Sequence, residues 1–261
     1  MNSQYLDIHA HPTREFYGDE VSGVLRRAQV ANVRLVTIGT SLSDSREGIQ
    51  LSEENKHVFS ITGQHPTNTE IYDKKAFAEL AGHRRVVGFG ETGFDFFHRE
   101  RDDESRQREV FLEHIALALK HNKPLMLHVR PGKGSYDAYE AVYDVLSSHV
   151  DEFAGEHIAN VHFFAGTTEI AQKFLNLGCM ISFTGVITFA DMYADLVRYV
   201  PLDRILSETD SPFVAPVPHR GKKNEPSYVV EVVRYLAGIK GVTEQQMKDQ
   251  IWANADRLFG W

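Results

Sequence analysis

A single cysteine, Cys179, stands in the whole sequence, so no disulfide can form within the chain. Its neighbours Leu177, Met180 and Ile181 suggest a strand interior, where a buried, inert thiol is expected rather than a reactive one. Long apolar runs are also missing. The longest apolar-leaning stretch, Met180 to Ala190, contains Ser and Thr and is too short to span a bilayer, so no membrane partner is expected. Basic residues are in deficit: 28 Lys and Arg against 36 Asp and Glu leave a formal charge of -8. That balance argues against tight, non-specific duplex binding over the whole surface but leaves room for a local positive site. The opening Met1-Asn2-Ser3-Gln4 shows no basic region followed by an apolar stretch, so no signal peptide is expected. A reducing, cytoplasmic setting and a monomeric chain follow as the default expectations.

What is present is ordinary globular material, with 42% hydrophobic and 25% charged residues over 261 positions, enough for a large core. The chain alternates between β-branched or apolar runs and amphipathic stretches. Strands are expected in the opening stretch Tyr5 to Pro12, at Val33 to Gly39 and Val58 to Thr62, and from near Val86, Pro124, Ala159, Cys179 and Arg204. Helices are expected over Asp19 to Ala31, Ser43 to Asn55, Tyr228 to Leu236 and Thr243 to Leu258, with no low-complexity linker between units. Eight strands alternating with helices imply a parallel sheet. An α/β fold, a (β/α)8 TIM barrel over residues 1–261 as one domain, is favoured over an open sheet of the same strand count.

In such a barrel, chemistry collects where strands end. Asp7, His9 and His11 in Asp7-Ile8-His9-Ala10-His11 would project from one face of an extended strand. His-x-His alone is weak, since 13 histidines in this length give about 0.6 chance occurrences. Its weight comes from the other strand ends, which deliver His65, Glu91, His128, His162 and Asp210. Glu91 lies among glycines, where a carboxylate can bridge two cations, although a salt-bridged glutamate would read the same way. His128 alone would pass for a satisfied core histidine, but with His162 it makes a plausible second metal site. Asp7 and Glu208, one pleat deeper, need donors if buried; they are read as groups that orient ligand histidines, against the alternative of salt bridges inside the barrel. The remaining histidines, His83, His114 and His149 among them, are expected to be solvated on helices or in adjoining loops.

Seven blocks in order then resemble the TatD family of metal-dependent deoxyribonucleases, within the amidohydrolase-like superfamily. They are Asp7-Ile8-His9-Ala10-His11, Gly63-Gln64-His65-Pro66, Gly90-Glu91-Thr92-Gly93-Phe94-Asp95, Leu127-His128-Val129-Arg130, Val161-His162-Phe163-Phe164-Ala165-Gly166, Glu208-Thr209-Asp210-Ser211-Pro212 and Arg220-Gly221-Lys222-Lys223-Asn224-Glu225-Pro226. The resemblance implies a phosphodiesterase acting on DNA, single strands or ends, by an exonuclease mode. It further implies one divalent ion held by His9, His11, Glu91 and Asp210 and a second by Glu91, His128 and His162. Phe163 and Ala165 depart from the family's usual Cys and Ser, and Pro131-Gly132 follows Arg130 where an acidic residue often stands.

On that reading Asp210 is a ligand and general base, with Glu91 the other catalytic carboxylate. His65 and Arg130 contact phosphate oxygens, and Arg220, Lys222 and Lys223 extend the grip; a solvated basic turn is the plain alternative for the last three. Two ions are expected, magnesium or manganese for activity, with zinc suited to the histidine-rich donors. A small-molecule amidohydrolase or phosphoesterase on the same barrel is the rival enzyme reading. Many such enzymes carry a modified lysine where Glu91 stands. A non-catalytic binder of metal or nucleic acid is the rival from another class.

Overall fold

Residues 4–68, 70–98 and 103–261 are described by a computed structural model. The leader-free reading of the N-terminus concerns Met1 to Ser3, which lie outside the described residues. The strand β1 (Tyr5–Ala10) passes through α1 (Arg14–Tyr17) into α2 (Val21–Val30). Then come β2 (Val33–Ile38), α3 (Leu42–Glu54), β3 (Val58–Thr62), α4 (Lys74–Ala81), β4 (Val86–Asp95) and α5 (Glu104–His121). The second half contains β5 (Leu125–Arg130), α6 (Asp137–Ser147), β6 (Ala159–Val161), α7 (Thr168–Asn176), β7 (Met180–Phe183), α8 (Ala194–Tyr199), β8 (Ile205–Ser207), α9 (Val229–Lys240) and α10 (Glu244–Phe259). The helix expected from Asp19 starts at Val21, because Gly18–Glu20 form a 3-10 turn instead.

Neighbouring strands pair in parallel in the order β1 to β8. The ring closes where Ala10 bridges Ser211, with the Asp210 N–H donating to the His9 carbonyl and the His11 N–H to the Ser211 carbonyl, both at 2.9 Å. The alternation read from the sequence is therefore a single-domain (β/α)8 barrel. Among the described residues no helix is long and apolar enough to cross a membrane.

Two register shifts aim side chains into the barrel mouth. Asp7 to Ala10 of β1 opposes only Leu35 to Thr37 of β2, and Phe89 to Thr92 of β4 opposes only Leu125 to Leu127 of β5. An extra residue in one strand re-aims its side chains. Here the extra residues fall at His9 and at Gly90-Glu91. Gly90 and Gly93, both at positive φ, allow β4 to lie against the Met126 and His128 carbonyls, which a Cβ would meet at 2.4 and 2.2 Å.

Cys179 is fully buried and burial pushes its thiol up, in keeping with an inert core sulfur. His114 corrects an expectation. Rather than being solvated, it is wholly buried on the inner face of α5, donating from Nδ1 to the Val110 carbonyl at 2.7 Å and accepting the Gln64 N–H on Nε2 at 3.1 Å. Burial lowers it to about 4, so it stays neutral. It anchors the turn that carries His65.

Candidate metal centre and active site

At the C-terminal mouth of the barrel, β1 contributes His9 and His11, β4 Glu91, β5 His128, the residue after β6 His162, and the segment after β8 Asp210. His9 Nε2 lies 3.2 Å from His11 Nε2, 3.3 Å from Glu91 Oε2 and 3.7 Å from Asp210 Oδ1. His11 Nε2 lies 3.7 Å from Glu91 Oε2 and 3.5 Å from Asp210 Oδ1. Donors held about 2.1 Å from a tetrahedral cation are separated by about 3.4 Å. The five separations straddle that value, so these four side chains fit a divalent ion.

The other oxygen of Glu91 serves a second donor set. Oε1 lies 2.6 Å from His128 Nδ1, 2.8 Å from His162 Nε2 and 3.5 Å from His65 Nε2. His128 Nδ1 is itself 3.1 Å from His65 Nε2 and 3.5 Å from His162 Nε2. His65 was expected to touch substrate; its ring reaches this cluster directly, and its Nδ1 is 2.7 Å from Thr67 Oγ1.

The electrostatics match a cage built around positive charge. Burial opposes a carboxylate at Glu91, yet His162, His65 and His9 hold it well below the usual range. Burial likewise opposes imidazolium at His162, His128 and His11, but Glu91 with Glu208, Asp95 or Asp210 overcomes it, raising all three, His11 to about 9. His9, buried and stacked on His162 with ring centroids 3.9 Å apart, is lowered to about 3.

The deeper carboxylates act differently from each other. Glu208 accepts the Phe163 N–H at 2.6 Å and the Ser182 hydroxyl at 2.6 Å, and its Oε1 lies 3.5 Å from His162 Nδ1. Asp7 does not touch an imidazole. It accepts the backbone N–H groups of His9 and Thr209 at 3.2 and 2.9 Å and the Thr209 hydroxyl at 2.6 Å, fastening β1 to the segment after β8. The reason is position: one pleat below the ligands, the Thr209 backbone is nearer than any ring. Burial raises Asp7 to about 8 despite those bonds.

The sequence reading missed Asp95. The ten residues of β4 are all buried, and its last, four beyond Glu91, faces the same cluster. Asp95 Oδ2 lies 3.1 Å from His128 Nε2 and 2.9 Å from His98 Nδ1, while Oδ1 accepts the Phe97 and His98 N–H groups at 3.0 and 2.7 Å. It thereby fixes His128 with Nδ1 turned towards Glu91. Period-two spacing from Glu91 could have found it. Asn224 is likewise buried and binds the Thr209 and Phe213 carbonyls at 2.9 and 2.6 Å, pinning the loop that carries Asp210.

Above the cage opens a cavity of 1360 Å³ lined by His65, Asp95, His98, Arg130, Phe163 and Asp210 among others. Arg130 is where expected. Lys222 and Lys223 do not line it: both are exposed, and Lys223 turns to the Phe16 carbonyl and the Tyr17 ring. Arg220 is also off the cavity wall, stacked at 3.8 Å on Phe189, which does line it, and bonded to the Ala215 carbonyl at 2.9 Å. These three charges sit on a turn after the β8 segment that folds away from the floor, so a grip on phosphate by this turn is not what the geometry provides.

The sequence profile described as TatD related DNase matches residues 6–260. An uncharacterized metal-dependent hydrolase of Escherichia coli K12, YcfH, is 36% identical over 97% of this chain and 95% of its own length. YabD of Bacillus subtilis, described in the same words, is 34% identical over 97% and 98%. Among solved structures, YJJV, a TatD homolog from Escherichia coli K12, superposes with a TM-score of 0.88 over the whole of both chains at 24% identity. With a profile match from the first strand to the last helix and relatives of this extent, the chain belongs to the TatD family of metal-dependent hydrolases.

Proposed function

We propose that this protein hydrolyses phosphodiester bonds in DNA, removing nucleotides from single strands or ends, with two divalent ions held between the strand ends. The reading rests on Glu91, whose two oxygens face two different donor sets, His9, His11 and Asp210 on one side and His128 and His162 on the other. A carboxylate so placed could serve both donor sets at once, and ions held there would suit in-line displacement at phosphorus. When bound, such ions lower the pKa of water and offset charge on the phosphoryl oxygens. Magnesium or manganese supports turnover, and zinc binds the same donors.

The protein's own groups do the rest. Asp210, at the cavity floor, takes the proton of the attacking water. Asp95, Glu208 and Asp7 keep the rings and backbone in register. Arg130 at the rim, with His65 beside the cluster, binds a non-bridging phosphate oxygen. Lys222 and Lys223 take no part.

The test is a single-turnover assay on end-labelled oligonucleotides, using chelated protein reloaded with each metal. Stepwise shortening from one end is expected. Asp210→Asn is expected to lower the rate by about 10²- to 10⁴-fold, the range of a lost general base, with folding intact. Turnover independent of metal, or near wild-type rates for Asp210→Asn, refutes the assignment.

A further inference from the structure

The cavity mouth carries a second kind of chemistry. Phe97 follows β4 and is 52% exposed, with the Arg130 guanidinium 4.9 Å above its ring. Phe213 follows β8 and is 48% exposed, packed edge-on against Phe16 at 5.7 Å, and both rings approach His11. In an eight-stranded ring β4 and β8 are diametrically opposite, so the two aromatic walls stand on either side of the cage. Exposed apolar side chains gathered at a cavity mouth, rather than scattered singly, are the kind of surface that marks a ligand-binding groove. All four side chains, Phe97, Arg130, Phe16 and Phe213, line the same cavity.

Charge points the same way. Among the described lining residues Arg130 alone is a lysine or arginine, while Glu15 and Glu70 sit exposed at the rim. Among the described residues the mouth sets one cation beside two acids, so its described lining does not by itself track a polyanionic backbone by neutralising successive phosphates. Flat apolar faces, one of them paired with a guanidinium, bind the faces of nucleobases instead.

We infer that the Phe97–Arg130 wall and the Phe16–Phe213 wall are stacking subsites for the two nucleobases that flank the reacting phosphodiester, so the preferred ligand is an unpaired dinucleotide step splayed across the mouth. This rests on the phosphodiesterase reading above. Duplex is excluded because each base gives up its pairing partner to reach a wall.

The experiment uses a deoxydinucleoside joined by one non-hydrolysable methylenephosphonate, alongside two analogues each lacking one base, with binding to the metal-loaded protein followed by calorimetry. For the wild type, removing either base is expected to weaken binding about 5- to 150-fold. Phe97→Ala should weaken the complete analogue by a similar factor and remove the penalty for one missing base only; Phe213→Ala should remove the penalty for the other. Phe97→Trp should restore the discrimination and Phe97→Leu should not. A base penalty under about twofold in the wild type, or equal losses on complete and base-free analogues in the variants, overturns the subsites. So does rescue by Leu, which supplies apolar bulk without a stacking face. Turnover of the native dinucleoside is scored separately: base-dependent binding without turnover leaves the walls standing and refutes the DNA phosphodiesterase reading, and turnover without base dependence does the reverse.

Discussion

Replacing Asp95 by Asn should impair one half of the cage and spare the other. Asp95 Oδ1 accepts two backbone N–H groups and Oδ2 faces two imidazoles, His128 Nε2 at 3.1 Å and His98 Nδ1 at 2.9 Å. An asparagine oxygen can satisfy the two backbone donors, but its NH₂ then points at His128 Nε2. That nitrogen must become an acceptor, which moves the ring proton to Nδ1, the atom 2.6 Å from Glu91 that would otherwise offer its lone pair to a metal. Loss of such an outer partner lowers metal affinity by about 10- to 100-fold, equivalent to about 1.4–2.8 kcal/mol. Asp95→Ala, which removes the acceptor without imposing the wrong tautomer, should lose less. Competition against a fluorescent chelator resolves the two binding events. The event involving His128 should weaken and the one involving His9, His11 and Asp210 should not. Equal weakening of both, or unchanged affinity for both, would refute the role given to Asp95.

Metal uptake should also expel protons, because the surrounding carboxylates raise His11 to about 9 and hold His128 and His162 above the usual imidazole range. Groups raised in this way are protonated below their shifted values, so their competition with metal fades, and affinity climbs, as pH rises towards about 9 for His11. Calorimetry at pH 7 in buffers of different ionisation heat should reveal the release; buffer-independent heats would mean those rings are neutral. A third expectation concerns stability. At Gly63 a Cβ would lie 2.3 Å from the Gly90 carbonyl carbon and oxygen, so Gly63→Ala should destabilise by at least the about 1–3 kcal/mol typical of overpacking. A urea midpoint equal to that of the wild type would show that the two loops do not approach this closely.

The barrel was legible because its signal is repetitive: eight β-branched runs at regular intervals leave few alternative folds. Part of the donor set was legible because His9 and His11 stand two apart where β1 ends, whereas Glu208 and Asp210 follow β8 on a segment where Asp210 has positive φ, so strand spacing does not place them. Asp95 escaped because Glu91 was taken as the end of its strand, whereas β4 continues through Gly93 to Asp95 under cover on both faces. His114 escaped although it shares a stripe with Val110, Phe111 and Ala118, all buried on α5; residue type outweighed the helical period. The partner of Asp7 is contributed by Thr209, 202 positions away, and no local pattern announces a hydrogen bond to a distant backbone. The basic turn at residues 220–223 showed only its charge, since the direction in which a turn folds depends on tertiary packing around Phe16, Tyr17 and Phe189.

The seam between the first and last strands has a consequence for biosynthesis. His9 and His11 come from the first strand and its end, yet the Thr209 backbone that receives Asp7 lies 202 positions beyond it, with Asp210 next to it. Vectorial synthesis therefore leaves the proposed ligand set incomplete until the segment after β8 has been made.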